Sequence, residues 1–310
     1  MKLKDNNPLV SVCMITYNHA NYIKKAIIGV LDQKYAGDIE LVILNDKSPD
    51  DTDSKVLEII EKYDKNNVIR YFKNDENLGV MSNFYKALNL CRGKYIALCE
   101  GDDFWTDSNK LAIQIQFLEK NESYSFSFHK ACKVKNENDD TIFSVFPIKS
   151  KTSIIKVKEF FRMGGKATSS IVFRNKIDFD IIKINHSHGD FLLYLKFFEI
   201  GNGIYIDQIM SSYRGHIHGI SFNKGSIGYQ KKRIQELYEE YELIHNNEIK
   251  DQIKYQIVFH IFHLILQNKS SLSKDDLIFY LSKILVSKHF YSIFLTFMKR
   301  WILIKVLLNE

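Results

Sequence analysis

Leu9-Val10-Ser11-Val12-Cys13-Met14-Ile15 is an apolar run, rich in β-branched residues and too short for a helix, that stops at the polar group Thr16-Tyr17-Asn18-His19. Such a run reads as a strand covered on both faces. A helical pattern follows from Asn21 to Leu31, and the alternation then repeats. Leu41–Leu44 is a second buried strand ending in Asn45-Asp46-Lys47-Ser48-Pro49, and a helix runs from Thr52 to Tyr63 behind the cap candidates Asp50, Asp51 and Thr52. Val68–Phe72 is a third strand, Met81–Leu90 a third helix closed by Gly93, and Tyr95–Cys99 a fourth strand that ends in Glu100-Gly101-Asp102-Asp103. Strands alternating with helices of this length indicate β-α-β units, an α/β fold and a mostly parallel sheet flanked by helices.

Beyond position 120 the pattern loosens. Ser123–Val134 reads as a strand, Val157–Met163 as a short helix, Thr168–Phe173 as another strand and Gly189–Ile200 as a helix. Two short strands are expected at Gly203–Ile206 and Ile209–Tyr213. From about Gly228 the chain reads as helical throughout, with one interruption near Asn268–Ser273. A soft boundary around Asn223–Gly228 divides a catalytic domain, residues 1–222, from a C-terminal helical region, residues 223–310. No internal repeat is visible.

Composition narrows the class. Of 310 residues, 45% are hydrophobic and 26% charged, enough to bury a large core, which excludes a disordered or fibrous chain. Cys13, Cys91, Cys99 and Cys132 include no C-x-x-C pair, so buried thiols and a reducing compartment are expected. Met1–Asn7 lacks the apolar centre of a signal peptide, and no stretch reaches the roughly 18 apolar residues of a spanning helix. The chain therefore reads as cytoplasmic. The net charge of +6 is uneven: residues 277–310 carry Lys283, Lys288, Lys299, Arg300 and Lys305 against Glu310 alone. That placement argues against a nucleic-acid groove on the main domain. The same tail, with Leu, Ile and Phe between its cations, suits either a helix packed on the catalytic domain or one lying at the inner face of a membrane.

In open parallel sheets, ligands bind beyond the carboxyl ends of the strands. The residues at those ends are Thr16-Tyr17-Asn18, Asp46 and Ser48, Asn74–Gly79, and Glu100–Asp103, each group polar or acidic where a nucleotide lies. No G-x-G-x-x-G follows the first strand and no G-x-x-x-x-G-K-[ST] occurs, which disfavours a dinucleotide oxidoreductase and a P-loop enzyme. Without a glycine cradle, a diphosphate is neutralised most simply by a divalent cation on carboxylates, Mn2+ or Mg2+.

From Val10 to Trp105 the chain resembles the family-2 glycosyltransferases, through the first strand with Thr16-Tyr17-Asn18, Asn45-Asp46-Lys47-Ser48, Asn77-Leu78-Gly79 and Glu100-Gly101-Asp102-Asp103-Phe104-Trp105. The resemblance implies a GT-A fold and transfer of a sugar from a nucleotide-diphosphate donor, commonly a UDP-sugar, to a glycan or lipid-linked saccharide. It implies that Asp46 reads the base and that Glu100-Gly101-Asp102 occupies the family's Asp-x-Asp position, with Asp102 on the metal. Thr16, Tyr17, Asn18, Ser48, Asn77 and Gly79 complete the implied nucleotide site. Two departures stand out: Glu100 replaces the first Asp, and Asn83-Phe84-Tyr85 replaces the family's frequent Ala-Arg-Asn.

Later in the chain, His188-Gly189-Asp190 opens a helix, and the resemblance places Asp190 as the base of a single, inverting displacement. Tyr213-Arg214-Gly215-His216 matches the family's Tyr-Arg-x-His, which implies His216 on the metal or diphosphate and Arg214 on a phosphate. Plainer readings stand beside these. Asp46, Ser48 and Asp50 suit a capping turn, His129 a strand residue with a satisfied hydrogen bond, and His186 and His188 an exposed loop rather than a zinc site. Other activities compatible with such a sheet are a sugar-phosphate nucleotidyltransferase, which would place a basic glycine-rich loop after the first strand, and a non-catalytic nucleotide-sugar binder.

Overall fold

The computed structural model describes residues 9–135, 141–146, 153–163, 166–179, 189–215 and 227–268, with 272, 273, 275 and 280. The chain divides into two compact units, Met1–Gly219 and Ile220–Glu310.

In the first unit, β1 (Val10–Thr16), α1 (Ile23–Leu31), β2 (Ile39–Asn45), α2 (Thr52–Tyr63), β3 (Ile69–Lys73), α3 (Val80–Leu90) and β4 (Tyr95–Leu98) alternate as the sequence pattern requires. They are followed by β5 (Phe104–Trp105), α4 (Lys110–Lys120), β6 (Tyr124–Lys135), β7 (Ile142–Val145), β8 (Ile154–Ile155), α5 (Val157–Arg162), a 3-10 turn (Thr168–Ser170), β9 (Val172–Arg174), α6 (Gly189–Ile200) and β10 (Asn202–Gly215). One sheet has the order β3-β2-β1-β4-β9-β6-β10-β5, with β7 on β6 and β8 on β10. The first four strands are parallel; β9 runs antiparallel between β4 and β6, and β10 pairs parallel with β6. From β1 the chain steps outward to β2 and β3, then returns to lay β4 on the other side of β1. The strand order therefore switches between β1 and β4, the place where such sheets open a crevice.

Alternation along β1 explains its continuous apolar character. Val10, Val12 and Met14 meet Ile23, Ala26, Ile27 and Val30 of α1 and Val56 and Ile59 of α2 in one buried cluster, which Leu111, Ile115 and Leu118 of α4 extend. The opposite face is covered by α3, whose Phe84, Ala87 and Leu88 are buried. A second apolar centre lies further along the sheet, where Phe126 and Phe128 of β6 pack on Phe160 of α5 and Phe126 packs on Phe197 and Phe198 of α6. The four cysteines are buried free thiols.

Three sequence expectations are corrected. Residues 168–173 are not one strand: the Ser170 hydroxyl donates to the Ala167 carbonyl and its backbone N–H does the same, closing a 3-10 turn before β9 begins. The two short strands expected at 203–213 are the single strand β10, whose register with β6 shifts between Ile206 and Ile209, so that exposed Asp207 marks an irregularity rather than a turn. In the second unit, α7 (Ile227–Leu243) and α8 (Asn247–Asn268) are separated at residues 244–246. There the Asn246 side chain accepts from the Glu248 and Ile249 N–H groups and starts a new helix. The two helices bury Ile234, Leu237, Ile253, Ile257 and Ile261, and the buried Arg233 guanidinium is held bidentately by Glu240 at 2.9 and 3.2 Å. Among the described residues no helix is long and apolar enough to cross a membrane. The basic tail, residues 277–310, lies almost wholly outside the described residues.

One core residue breaks the apolar rule. Lys110, at the start of α4, is fully buried with its Nζ 4.0 Å from the Trp105 ring centroid and without a hydrogen-bond partner among the described residues. Burial pushes its amine down from 10.5 to about 7. Between those values the unfolded chain holds the proton and the folded chain releases it, so the cost of Lys110 shrinks as pH rises from 7 toward 10. Lys110→Met is expected to melt higher than the parent at pH 7 and to lose that advantage by about pH 10; thermal denaturation across that range checks it.

Candidate functional site

The site is built where β1, β2 and β4 end. Three consecutive N–H groups of the loop after β1 are tied to side chains that follow β2: Asn18 to Ser48 Oγ (3.0 Å), His19 to Thr52 Oγ1 (2.9 Å) and Ala20 to Asp50 Oδ2 (2.9 Å). Asn18 sits at φ +59°, a left-handed conformation that Asn tolerates, and Tyr17 is left exposed. Ser48 is itself anchored on Asn45 Oδ1 at 2.7 Å, and Asp50 Oδ1 accepts from the Thr52 hydroxyl (2.6 Å) and N–H (3.1 Å) at the head of α2. Of the residues read as a capping turn, only Asp50 meets the head of α2; Ser48 and Asp46 bond to neighbouring loops, and the N-cap Asp51 makes no side-chain cap bond.

Asp46 is buried, and both of its oxygens accept from the neighbouring loop. Oδ1 takes the Asn74 amide (2.8 Å) and the Leu78 N–H (2.9 Å), and Oδ2 the Gly79 N–H (2.9 Å). Asn77 Oδ1 also accepts from Gly79, whose φ of +82° only glycine adopts without strain. Asp46 is thus the peg that holds Asn77-Leu78-Gly79 at the rim.

The turn Glu100–Asp103 gathers three acids in four residues. The Gly101 N–H donates to the Ile15 carbonyl at 3.0 Å, so the turn lies directly against the end of β1. A Cβ on Gly101 would sit 2.8 Å from Thr16 Oγ1 and 2.9 Å from both His19 Nδ1 and Ile23 Cδ1, so any other residue would push the turn away. Thr16 Oγ1 is buried there without a hydrogen-bond partner among the described residues. Burial first, then the charges of Asp102 and Asp190, raise the Glu100 carboxyl to about 8, against a hydrogen bond from Thr168. Burial, Asp102 and Glu100 likewise hold the Asp103 carboxyl well above the usual range.

The three acids have separate commitments. Asp103 Oδ1 accepts the Arg214 N–H at 3.0 Å, whereas Asp102 is the partly open one, its Oδ2 3.8 Å from His19 Nε2. Arg214 is buried between the rings of Tyr22 (5.1 Å) and Phe104 (5.4 Å), with Nε donating to the Asp102 carbonyl at 3.3 Å. Pairing of Phe104 and Trp105 with Ser212 and Ser211 carries Arg214 to this turn from more than a hundred residues away.

Asp190 lies in the first turn of α6, where its Oδ1 accepts the Phe191 N–H at 2.9 Å. The structure thus brings Thr16, Glu100, Gly101, Asp102, Asp190 and Arg214 to one region, and Asn18, Asp46, Ser48, Asn77 and Gly79 to its adjoining wall. His216, and His186 and His188, lie outside the described residues. His129 is a buried strand residue whose Nδ1 meets the Lys130 carbonyl at 2.6 Å.

Four further residues enter the site without a sequence motif to announce them: His19, Lys166, Thr168 and Tyr194. Lys166 Nζ donates to the Phe160 carbonyl at 2.7 Å, and burial pushes its amine down to about 7 against the opposing charge of Asp190. Among the described residues no three His, Cys, Asp or Glu side chains converge as a closed metal cage. The Asp102 carboxyl offers hard oxygen donors of the kind that Mg2+ or Mn2+ takes.

Known proteins share the sequence pattern of the first unit and its fold. Residues 11–180 match the Glycosyl transferase family 2 profile. The uncharacterized protein Rv1520 of Mycobacterium tuberculosis is 31% identical over 211 residues, which cover 68% of this chain and 60% of that protein. The chain thus spans less than two thirds of that relative's length. Among solved structures, S. aureus TarS 1-349 in complex with UDP-GlcNAc superposes with a TM-score of 0.64 at 16% identity, covering 89% of this chain and 79% of that one. The mannosyltransferase PcManGT from Pyrobaculum calidifontis, in complex with GDP-Man and Mn2+, gives 0.57 at 15% identity, covering 98% and 88%. The chain belongs to glycosyl transferase family 2, and its fold is that of the GT-A glycosyltransferases.

Asp46→Ala removes a buried acceptor from three hydrogen-bond donors and is expected to cost roughly 2–4 kcal/mol. Urea denaturation measures the loss, and hydrogen exchange is expected to show Leu78 and Gly79 losing protection.

Proposed function

We propose that the first unit is a divalent-metal-assisted, inverting glycosyltransferase that moves a sugar from a nucleotide-diphosphate donor, a UDP-sugar in the first instance, to a hydroxyl of a glycan or lipid-linked saccharide. The observation that carries this reading is the Glu100–Asp103 turn at the strand-order switch, with Asp190 close enough for its charge to act on Glu100. In this reading residues 1–222 form the catalytic domain and residues 223–310 an appended helical region acting on the cytoplasmic side.

The nucleotide lies along the ends of β1 and β2, its base beside Asp46 and its ribose toward Thr16, Tyr17, Asn18 and Glu100. Asp102 would hold the divalent cation, and the resemblance adds His216 and Arg214 at the diphosphate. When bound, that cation offsets the negative charge that develops on the departing diphosphate. Asp190 takes the proton of the acceptor hydroxyl as its oxygen bonds to the anomeric carbon. The bond from that carbon to the phosphate oxygen breaks on the opposite side and its electron pair leaves with the nucleotide. One displacement inverts the anomeric centre and requires no enzyme nucleophile.

Two substitutions separate binding from chemistry. Asp190→Asn is expected to lower nucleotide release from the donor by about 10²–10⁴-fold while UDP with Mn2+ still raises the melting temperature. Near-normal turnover in that variant would show that the base lies elsewhere. Asp102→Ala is expected to abolish the Mn2+-dependent part of the UDP-induced shift; a shift equal to that of the parent would remove Asp102 from the metal.

A further inference from the structure

Tyr194 stands one turn beyond Asp190 on α6, so the two side chains leave the helix on the same face. Its ring is fixed by Phe160, edge-on at 5.1 Å, and by Phe197 at 6.0 Å. Only 6% of the residue is exposed, yet the hydroxyl has no hydrogen-bond partner among the described residues. Buried tyrosine hydroxyls normally find one, and a phenylalanine would fill this aromatic niche without leaving a polar atom unsatisfied. The oxygen therefore needs an account that packing does not supply.

Its surroundings supply one. Both Asp190 and Glu100 act electrostatically on the phenol, and together with burial they keep it protonated and hence a donor. The ring on which it leans also carries Lys166, whose Nζ lies 3.9 Å from the Phe160 centroid. A rigid phenol donor thus lies within electrostatic reach of the Asp190 and Glu100 carboxyls. A carbohydrate suits this set, since each of its hydroxyls both donates and accepts: it can give a proton to Asp190, exchange one with the Glu100 carboxyl and receive one from the phenol. We infer that Tyr194 is a sugar-contacting residue, its hydroxyl donating to an oxygen of the carbohydrate that lies between Glu100 and Asp190. This rests on the glycosyltransferase reading above and extends it from the nucleotide to the sugar.

Tyr194→Phe deletes the one oxygen and keeps the packing. The parent and the variant are compared with UDP, UDP-glucose, UDP-N-acetylglucosamine and GDP-mannose in Mn2+, by thermal shift and by release of free nucleotide. The variant is expected to melt at the same temperature or slightly higher, to bind UDP within about twofold of the parent, and to turn over the active donor at least fivefold more slowly. If the extra affinity of the nucleotide-sugar over UDP is lost as well, the contact is to the donor sugar. If that increment survives and only turnover falls, the contact is to the acceptor side. Unchanged turnover and unchanged donor binding overturn the inference, as does a fall in melting temperature with normal kinetics, which marks a purely structural role. A parent protein that binds no nucleotide refutes the donor reading itself, and this inference falls with it.

Discussion

Three carboxylates in four consecutive residues, at the end of a buried strand, repel one another and resist desolvation. The fold around Glu100–Asp103 is organised to hold them there. Gly101 lets the turn press on β1 with no Cβ in the way, the Arg214 N–H takes one oxygen of Asp103, and Thr168 hydrogen-bonds Glu100. The raised carboxyls of Glu100 and Asp103 measure what remains uncompensated. Acids pushed toward the protonated form by burial and by one another gain most from a nearby cation, which favours their ionised form.

The walls of the crevice are held by side chains rather than by secondary structure. Ser48, Asp50 and Thr52 satisfy the N–H groups of residues 18–20, and Asp46 satisfies those of Leu78 and Gly79. Loops that would otherwise carry unpaired donors next to a ligand are thereby fixed before any ligand arrives, which lowers the ordering cost of binding. The same residues thus serve stability and the site. The aromatic centre of Phe126, Phe160 and Phe197 does the equivalent work for α6, presenting Asp190 and Tyr194 from a helix that is rigidly packed.

Much of this was legible in local pattern. The boundaries of α2 and α6 fall where periodicity and the acidic residues at their heads put them, and the strands before Thr16, Asn45 and Glu100 are the apolar runs themselves. The misreadings have two causes. Ser170 suits a strand by its neighbours but bonds the Ala167 carbonyl, and Asn246 starts a helix inside a helical pattern, each by a local side-chain bond to backbone. Asp207 suggests a turn but rides on a register shift that the pairing of β10 with β6 sets.

The sequence by itself determined the β-α-β order, the parallel sheet and the polar residues at the strand ends, because hydrophobic period and strand length are local properties of the chain. The tertiary structure alone decided which of those residues meet. Arg214 reaches Asp103 only because β5 pairs with β10, Asp46 turns inward to the Asn74–Gly79 loop, Lys166 acts on Asp190, and Thr168 and Tyr194 act on Glu100, across long stretches of intervening chain. Burial and electrostatic coupling depend on three-dimensional proximity, and no spacing along one sequence encodes it.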